Sequence, residues 1–247
     1  MRNRTEAIYA RHGIMVYETN ELYGEKGSFR VLQFADGAVQ GAMDLKRPER
    51  IVLEYPRAII HLMELNDPAF ENVFMIGHGI GTIAGRYPDK HFTVAEVDEH
   101  VAEISTAYFG SRRDYVRIGD GRGLLEREAS HVYDYIIVDA FTEKGTPYTL
   151  LSLQFFAMAA QKLTREGTII LNLMGRGEND GFIRAVFTTL GEVFDYTKAF
   201  SLSHGGTAET KNIIVAGSGR PIRYQAKQMA GFQEIEPGQC YIIKDDD

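Results

Sequence analysis

The chain has 247 residues, a length that suits one large domain or one domain with a small appendage. Its 27 basic and 34 acidic residues leave a net charge of −7, so there is no basic footprint and no nucleic-acid partner is expected. The single cysteine, Cys240, excludes an internal disulfide and a cysteine-based zinc site; no apolar run reaches membrane-spanning length and the first residues lack a signal-peptide core, so a cytoplasmic protein with no membrane partner is expected.

Residues 1–55 read as a small β-rich segment. Residues 29–34 alternate and then meet Asp36-Gly37, a hairpin signal, after which Val39, Gln40 and Met43 belong to the return strand. Residues 56–247 read as a nucleoside-binding domain, introduced by a helix over 55–65 with Ile59, Leu62 and Met63 on one face. Val73 to Ile76 is an apolar run of the kind that forms a strand buried on both faces. Gly77, Gly79 and Gly81 follow at once, then a short helix from near Thr82 and a strand over 92–97 that delivers Glu96 and Asp98. A helix over 99–109 comes next, with a third strand over 115–118 running into Gly119-Asp120-Gly121 and a fourth over 133–138 ending at Asp139. Helices over 153–163 and 182–190 flank a fifth strand over 167–173, and strands over 196–200 and 212–217 close the pattern. Strands alternating with helices predict an α/β fold, a doubly wound, Rossmann-type, mostly parallel sheet, and the last pair predicts an antiparallel edge. The ending Asp245-Asp246-Asp247 reads as a solvated tail.

In such sheets ligands bind outside the carboxyl ends of the strands, at the switch point. The glycine loop, Glu96, Asp120 with Gly121, and Asp139 each follow an apolar strand directly, so they are expected on one rim. Any single acid there can instead cap the helix that follows it. Fifteen residues separate Gly81 from Glu96, room for a crossover helix and a return strand, which places an acid to receive a ribose diol. Thr82 stands where a dinucleotide loop wants glycine or alanine, so the spacing fits a methyltransferase-type loop better than a nicotinamide loop. No metal cluster stands out, and no metal is expected. His78 reads as a shape or hydrogen-bonding residue of the loop, and His204 has no identifiable acid or serine partner.

From about Tyr23 to Leu173 these motifs resemble the spermidine synthases, aminopropyltransferases on a methyltransferase-like fold. Asp36, Gly37 and Gln40 match the family's Asp-Gly turn and following glutamine; Gly77-His78-Gly79-Ile80-Gly81-Thr82 is similar to its GGGDGG loop; Ala95-Glu96-Val97-Asp98 to its VEID; and Gly119-Asp120-Gly121 to its GDG. Tyr133 to Asp139 resembles its YDVIIVDSSDP motif, whose first aspartate is the catalytic one. Three places depart from the pattern. Ile80 replaces the loop aspartate that meets the ammonium of decarboxylated S-adenosylmethionine, Ala140-Phe141-Thr142-Glu143 replaces the rest of DSSDP, and Val52-Leu53-Glu54 stands near the Tyr-His-Glu of the polyamine site, with Tyr55 next door. Asp139-Ala140-Phe141 followed by Thr146-Pro147-Tyr148 looks closer to a divergent bacterial branch of spermidine synthase-like proteins.

The resemblance implies transfer of an aminopropyl group from decarboxylated S-adenosylmethionine to a small-molecule amine, with Asp139 as general base. It implies Glu96 on the ribose and Asp120 with Gly121 at the adenine. Gly77, Gly79 and Gly81 would lie along the co-substrate beside Gln40, and Tyr55 and Tyr148 are candidates for the second-substrate wall. Relatives pair subunits through the N-terminal β segment, so a homodimer is possible. A methyltransferase using S-adenosylmethionine itself, or a nucleoside-binding homologue without catalysis, is the alternative, because the acid that would repel the donor's carboxylate is absent at Ile80.

Overall fold

The computed structural model describes residues 5–35, 37–142, 145–203 and 209–245. Asp36, Glu143, His204, Asp246 and Asp247 lie outside the described residues, so the readings that fall on them stop there. The N-terminal segment forms a four-stranded antiparallel sheet in the order β1 (Thr5–Arg11), β2 (Ile14–Leu22), β3 (Glu25–Phe34) and β4 (Val39–Asp44). The β3–β4 connection turns at Gly37, whose φ is +86° and whose N–H donates to the Phe34 carbonyl at 2.9 Å.

An eight-stranded sheet carries the rest of the fold. It comprises β5 (Asn72–Ile76), β6 (His91–Glu96), β7 (Val116–Ile118), β8 (Tyr133–Val138), β9 (Leu163–Gly175), β10 (Tyr196–Leu202), β11 (Lys211–Ser218) and β12 (Phe232–Ile235) in the spatial order β12-β10-β11-β9-β8-β5-β6-β7. The strands from β9 through β8, β5 and β6 to β7 run parallel, whereas the pairings β9–β11, β11–β10 and β10–β12 are antiparallel. Alternation along β5 explains its unbroken apolar run. Phe74 and Ile76 enter a core shared with α5 (Leu153–Lys162) and α6 (Gly181–Gly191), while Val73 and Met75 enter one shared with α1 (Glu54–Asn66). A third cluster joins Ile14, Val16 and Leu32 of the small sheet to Val101 and Ile104 of α3 (Glu99–Phe109), with Ile80 of the glycine loop packed against it. The small sheet therefore sits beside the loop rather than apart from it.

The short helix expected after the glycine loop is present as α2 (Thr82–Gly85), a single turn. Two expectations need correction. The chain beyond residue 217 is structured: β12 pairs with β10 as the true edge strand, and Ile222, Met229 and Phe232 cover the core on the α1 side. Only Phe232 of β12 is buried, so the strand leaves little periodicity in the sequence. Asp245 is no solvated tail residue, because it accepts hydrogen bonds from Arg122 of α4 (Gly121–Glu126) at 2.6 and 2.7 Å and from the Ser152 hydroxyl at 2.5 Å.

The Arg122 contact, with Ser152 behind it, holds the Asp245 carboxyl down at about 2. A carboxyl depressed by folding stabilises the fold above its ordinary range, and that stability is lost as pH falls from about 4 towards about 2. Asp245→Asn is expected to lower stability by about 1 kcal/mol near neutral pH, allowing for solvent screening of a pair on the surface. Urea denaturation should show the gap closing in acid; a gap independent of pH would contradict the assignment.

Candidate functional site

The strand order reverses between β5 and β8, which run parallel, since β6 and β7 follow on one side of β5 and β8 lies on the other. Two bonds lock this switch point: Asp139 N–H donates to the Ile76 carbonyl and Gly77 N–H to the Ala95 carbonyl, both at 2.8 Å. A Cβ built on Gly77 would lie 2.0 Å from the backbone oxygen of Asp139, and the residue's φ is +96°. No side chain fits there, so the first loop glycine is required by the approach of the two strand ends. Gly119 N–H in turn donates to the Glu96 carbonyl at 2.8 Å. The ends of β5, β6, β7 and β8 therefore share one rim, with Asp139 and Glu96 on the same edge as expected.

The loop is roofed by β4. A Cβ on Gly79 would come 3.2 Å from the Gln40 carbonyl, and the Ile80 side chain lies against Gly41, where a methyl group would fall within 2.6 Å of it. Gln40 thus meets the loop through its backbone. His78 points the other way, 4% exposed, with its N–H on Glu96 Oε2 at 3.0 Å. Its Nε2 sits 2.8 Å from Ser105 Oγ and 3.1 Å from Ser111 Oγ. The Ser105 hydroxyl already donates to the Ala102 carbonyl, so Nε2 carries the proton in this contact. Burial pushes the imidazole down to about 4, and His78 is a neutral prop for the loop.

Glu96 is 8% exposed, and burial raises its carboxyl despite backbone bonds from Asp98 and His78. Oε1 accepts from Asp98 N–H at 2.9 Å, leaving a further lone pair on each oxygen for a ligand hydroxyl. Beside it, Val97 is 77% exposed and Ile118 at the end of β7 is 42% exposed. For Asp120 and Asp98 the capping alternative is realised: Asp120 accepts from Gly123 N–H at 2.7 Å at the start of α4, and Asp98 accepts from His100 N–H at 2.9 Å at the start of α3. Gly121 lets α4 close on β5, since a Cβ there would meet the Ile76 side chain at 2.4 Å.

Asp139 heads a chain of side chains running across the sheet. Asn172 of β9, 1% exposed, donates its Nδ2 to Asp139 Oδ1 at 2.8 Å, and Asn212 of β11 donates to Asn172 Oδ1 at 3.0 Å. The Tyr55 hydroxyl, from the first turn of α1, also hydrogen-bonds Asp139. Desolvation raises the Asp139 carboxyl to about 6, partly offset by Asn172 and Tyr55. Burial and the neighbouring carboxylate hold the Tyr55 phenol well above its ordinary value, so it serves as a donor. Tyr148 does not join this cluster: it is 60% exposed with its ring edge-on to Phe182 of α6, 6.2 Å between centroids. Sequence reasoning missed Asn172 and Asn212. Their signal was an amide inside each of two apolar strands, Ile-Ile-Leu-Asn-Leu and Asn-Ile-Ile-Val, where a buried polar group requires a partner.

A glycine loop and two rim acids astride the switch point of a doubly wound sheet define a methyltransferase-like α/β protein. The spermine/spermidine synthase domain model matches residues 52–203, and the chain belongs to that family. The probable polyamine aminopropyl transferase of Bifidobacterium longum is 32% identical over 94% of this chain, and the polyamine aminopropyltransferase of Vibrio vulnificus is 28% identical over 64% of it. The chain spans 58% of the length of each of these two relatives. A crystal structure of a probable spermidine synthase from Corynebacterium glutamicum shares the fold, with a TM-score of 0.74, 20% identity, and coverage of 95% of this chain and 90% of that one.

Because folding raises the Asp139 carboxyl from 3.8 to about 6, its contribution to stability is full below about pH 4 and is lost as pH rises through about 6. Asp139→Asn, uncharged throughout, is expected to gain roughly 1–3 kcal/mol over the parent near pH 8. The gain should vanish near pH 4 in chemical denaturation, and a gain of equal size at both values would contradict this placement of the carboxylate.

Proposed function

We propose that this chain is an aminopropyltransferase that moves the aminopropyl group of decarboxylated S-adenosylmethionine to a small amine. The observation that carries the reading is the Asp139 carboxylate, held at the switch point by Tyr55 and Asn172 on the rim it shares with Glu96. The donor's sulfonium makes the adjoining carbon electrophilic and leaves as a neutral thioether. The amine lone pair forms the new C–N bond, the C–S pair goes to sulfur, and the amine proton goes to Asp139. An alkylammonium with a pKa of about 10 is almost wholly protonated at neutrality, so attack needs a base at the reacting nitrogen. A carboxylate raised to about 6 is more basic than an ordinary one and is still mostly ionised at pH 7–8.

The rest of the rim suits the donor's nucleoside. Glu96 has lone pairs for the ribose diol, and Val97 and Ile118 offer apolar surface for a base. Asp120 and Gly121 shape the loop at the adenine end, with Gly77, Gly79, Gly81 and Gln40 forming the wall along the ligand. Tyr55, beside Asp139, is assigned to the acceptor side, whereas Tyr148, set against Phe182, has no part in this cluster. The acceptor is a small-molecule amine, the enzyme acts in the cytoplasm, and no metal is required. Ile80 supports a second reading. An apolar side chain packed on Gly41 brings no carboxylate to the donor's ammonium and none to repel a donor carboxylate, so methyl transfer from S-adenosylmethionine is the alternative.

Two measurements test the reading. Asp139→Asn is expected to lose about 10²–10⁴ in turnover with methylthioadenosine affinity unchanged; undiminished turnover would remove Asp139 as the base. Glu96→Ala is expected to weaken methylthioadenosine binding in calorimetry by about 1–3 kcal/mol, from the ribose hydrogen bonds lost. Assaying decarboxylated and ordinary S-adenosylmethionine side by side separates the two donors, and affinity for neither would leave a non-enzymatic homologue.

A further inference from the structure

We infer that Asn172 and Asn212 form a two-residue amide relay that sets the orientation of the Asp139 carboxylate and supports its ionised form as the base. The inference rests on Asp139 as the base. The polarity of the relay is dictated from one end. A carboxylate only accepts, so Asn172 must present its NH₂ to Asp139 Oδ1, 2.8 Å away, and its oxygen must then face β11. Asn212 meets that oxygen with its own NH₂ at 3.0 Å. Without Asn212, the buried Asn172 amide could turn over and set its oxygen against the carboxylate, which is repulsive.

The two asparagines stand on different strands, across a diagonal of the β9–β11 ladder, since Asn172 is opposite Ile214 and Asn212 is opposite Met174. Their meeting is a side-chain arrangement that the ladder itself does not demand. Asn172 is 1% exposed, and the residues sharing its face, Ile170 two places along β9 and Ile214 directly opposite on β11, are fully buried. An apolar residue would suit that core equally well, so packing gives no reason for an amide. Among the described residues the titratable group facing Asp139 is Tyr55 from α1, while β9 presents only the neutral amide. The relay is therefore the main hydrogen-bonding support for the ionised base besides Tyr55. Asn172 and Asn212 are positioning residues, acting through Asp139 without touching substrate.

The test follows the ionisation of Asp139 directly, by carboxyl carbon NMR of aspartate-labelled protein with Asp139→Asn used for assignment, and in parallel by the acid limb of the kcat/KM profile. Asn172→Leu keeps the branched shape and removes the donor, so both readouts should move up by about one to two pH units. Asn212→Ala lies at the half-buried end of the relay and should give a smaller shift in the same direction, which keeps the test available if Asn172→Leu does not fold. Retained methylthioadenosine binding would certify an intact site in either variant. Lower stability or a uniform loss of kcat, with the titration and the acid limb unmoved, would show that the asparagines only fill the core and would overturn the relay. A parent protein that binds methylthioadenosine but transfers no aminopropyl group would overturn the proposed reaction instead, while the NMR titration would still decide the relay.

Discussion

Where β5 and β8 part company, the backbone of Gly77 and the carbonyl of Asp139 come so close that a single methyl group would not fit between them. That contact ties the glycine loop to the acid at the next strand end, and two strand-end hydrogen bonds at 2.8 Å hold it in register. The remaining features build outward from it. The loop passes beneath β4 with Gly79 facing the Gln40 carbonyl, and Ile80 reaches the cluster between the small sheet and α3. His78, turned inward by the same course of the chain, gives its N–H to Glu96. One backbone approach thus sets the positions of two carboxylates and the roof above them.

Both carboxylates are raised by loss of water, and they are relieved differently. Glu96 takes backbone donors that belong to the fold, from His78 and Asp98, and its place is fixed by main-chain geometry. Asp139 takes side-chain donors, from Asn172 and Tyr55, and is tunable by substitution. A group that keeps a fixed ligand needs rigidity, whereas a base needs its proton affinity adjusted towards working pH. The division of partners matches the roles proposed for the two acids.

Much of this arrangement was legible in the residues. The apolar runs of β5, β6 and β8 stop at glycine or acid, and strand ends on one rim follow from parallel pairing, so the loop, Glu96 and Asp139 could be placed without coordinates. What was missed depends on contacts distant in sequence. Asn172 and Asn212 are 40 residues apart and meet only through strand pairing. Asp245 reads as one of three terminal acids until Arg122 and Ser152 are seen beside it, 123 and 93 residues away. Tyr55 and Tyr148 looked equivalent as aromatic residues near the rim, and only packing separates the one bonded to Asp139 from the one set against Phe182.

The central claim is spatial: an adenosine thioether lies across the switch point, with its ribose on Glu96 and its sulfur beside Asp139. The most direct test is a crystal structure of the protein soaked with methylthioadenosine. The account predicts both ribose hydroxyls on the Glu96 carboxylate, the base against Val97 and Ile118, and the sulfur turned towards Asp139 with room beyond it for an amine. A nucleoside bound elsewhere, or bound here with its sulfur turned away from Asp139, would contradict it.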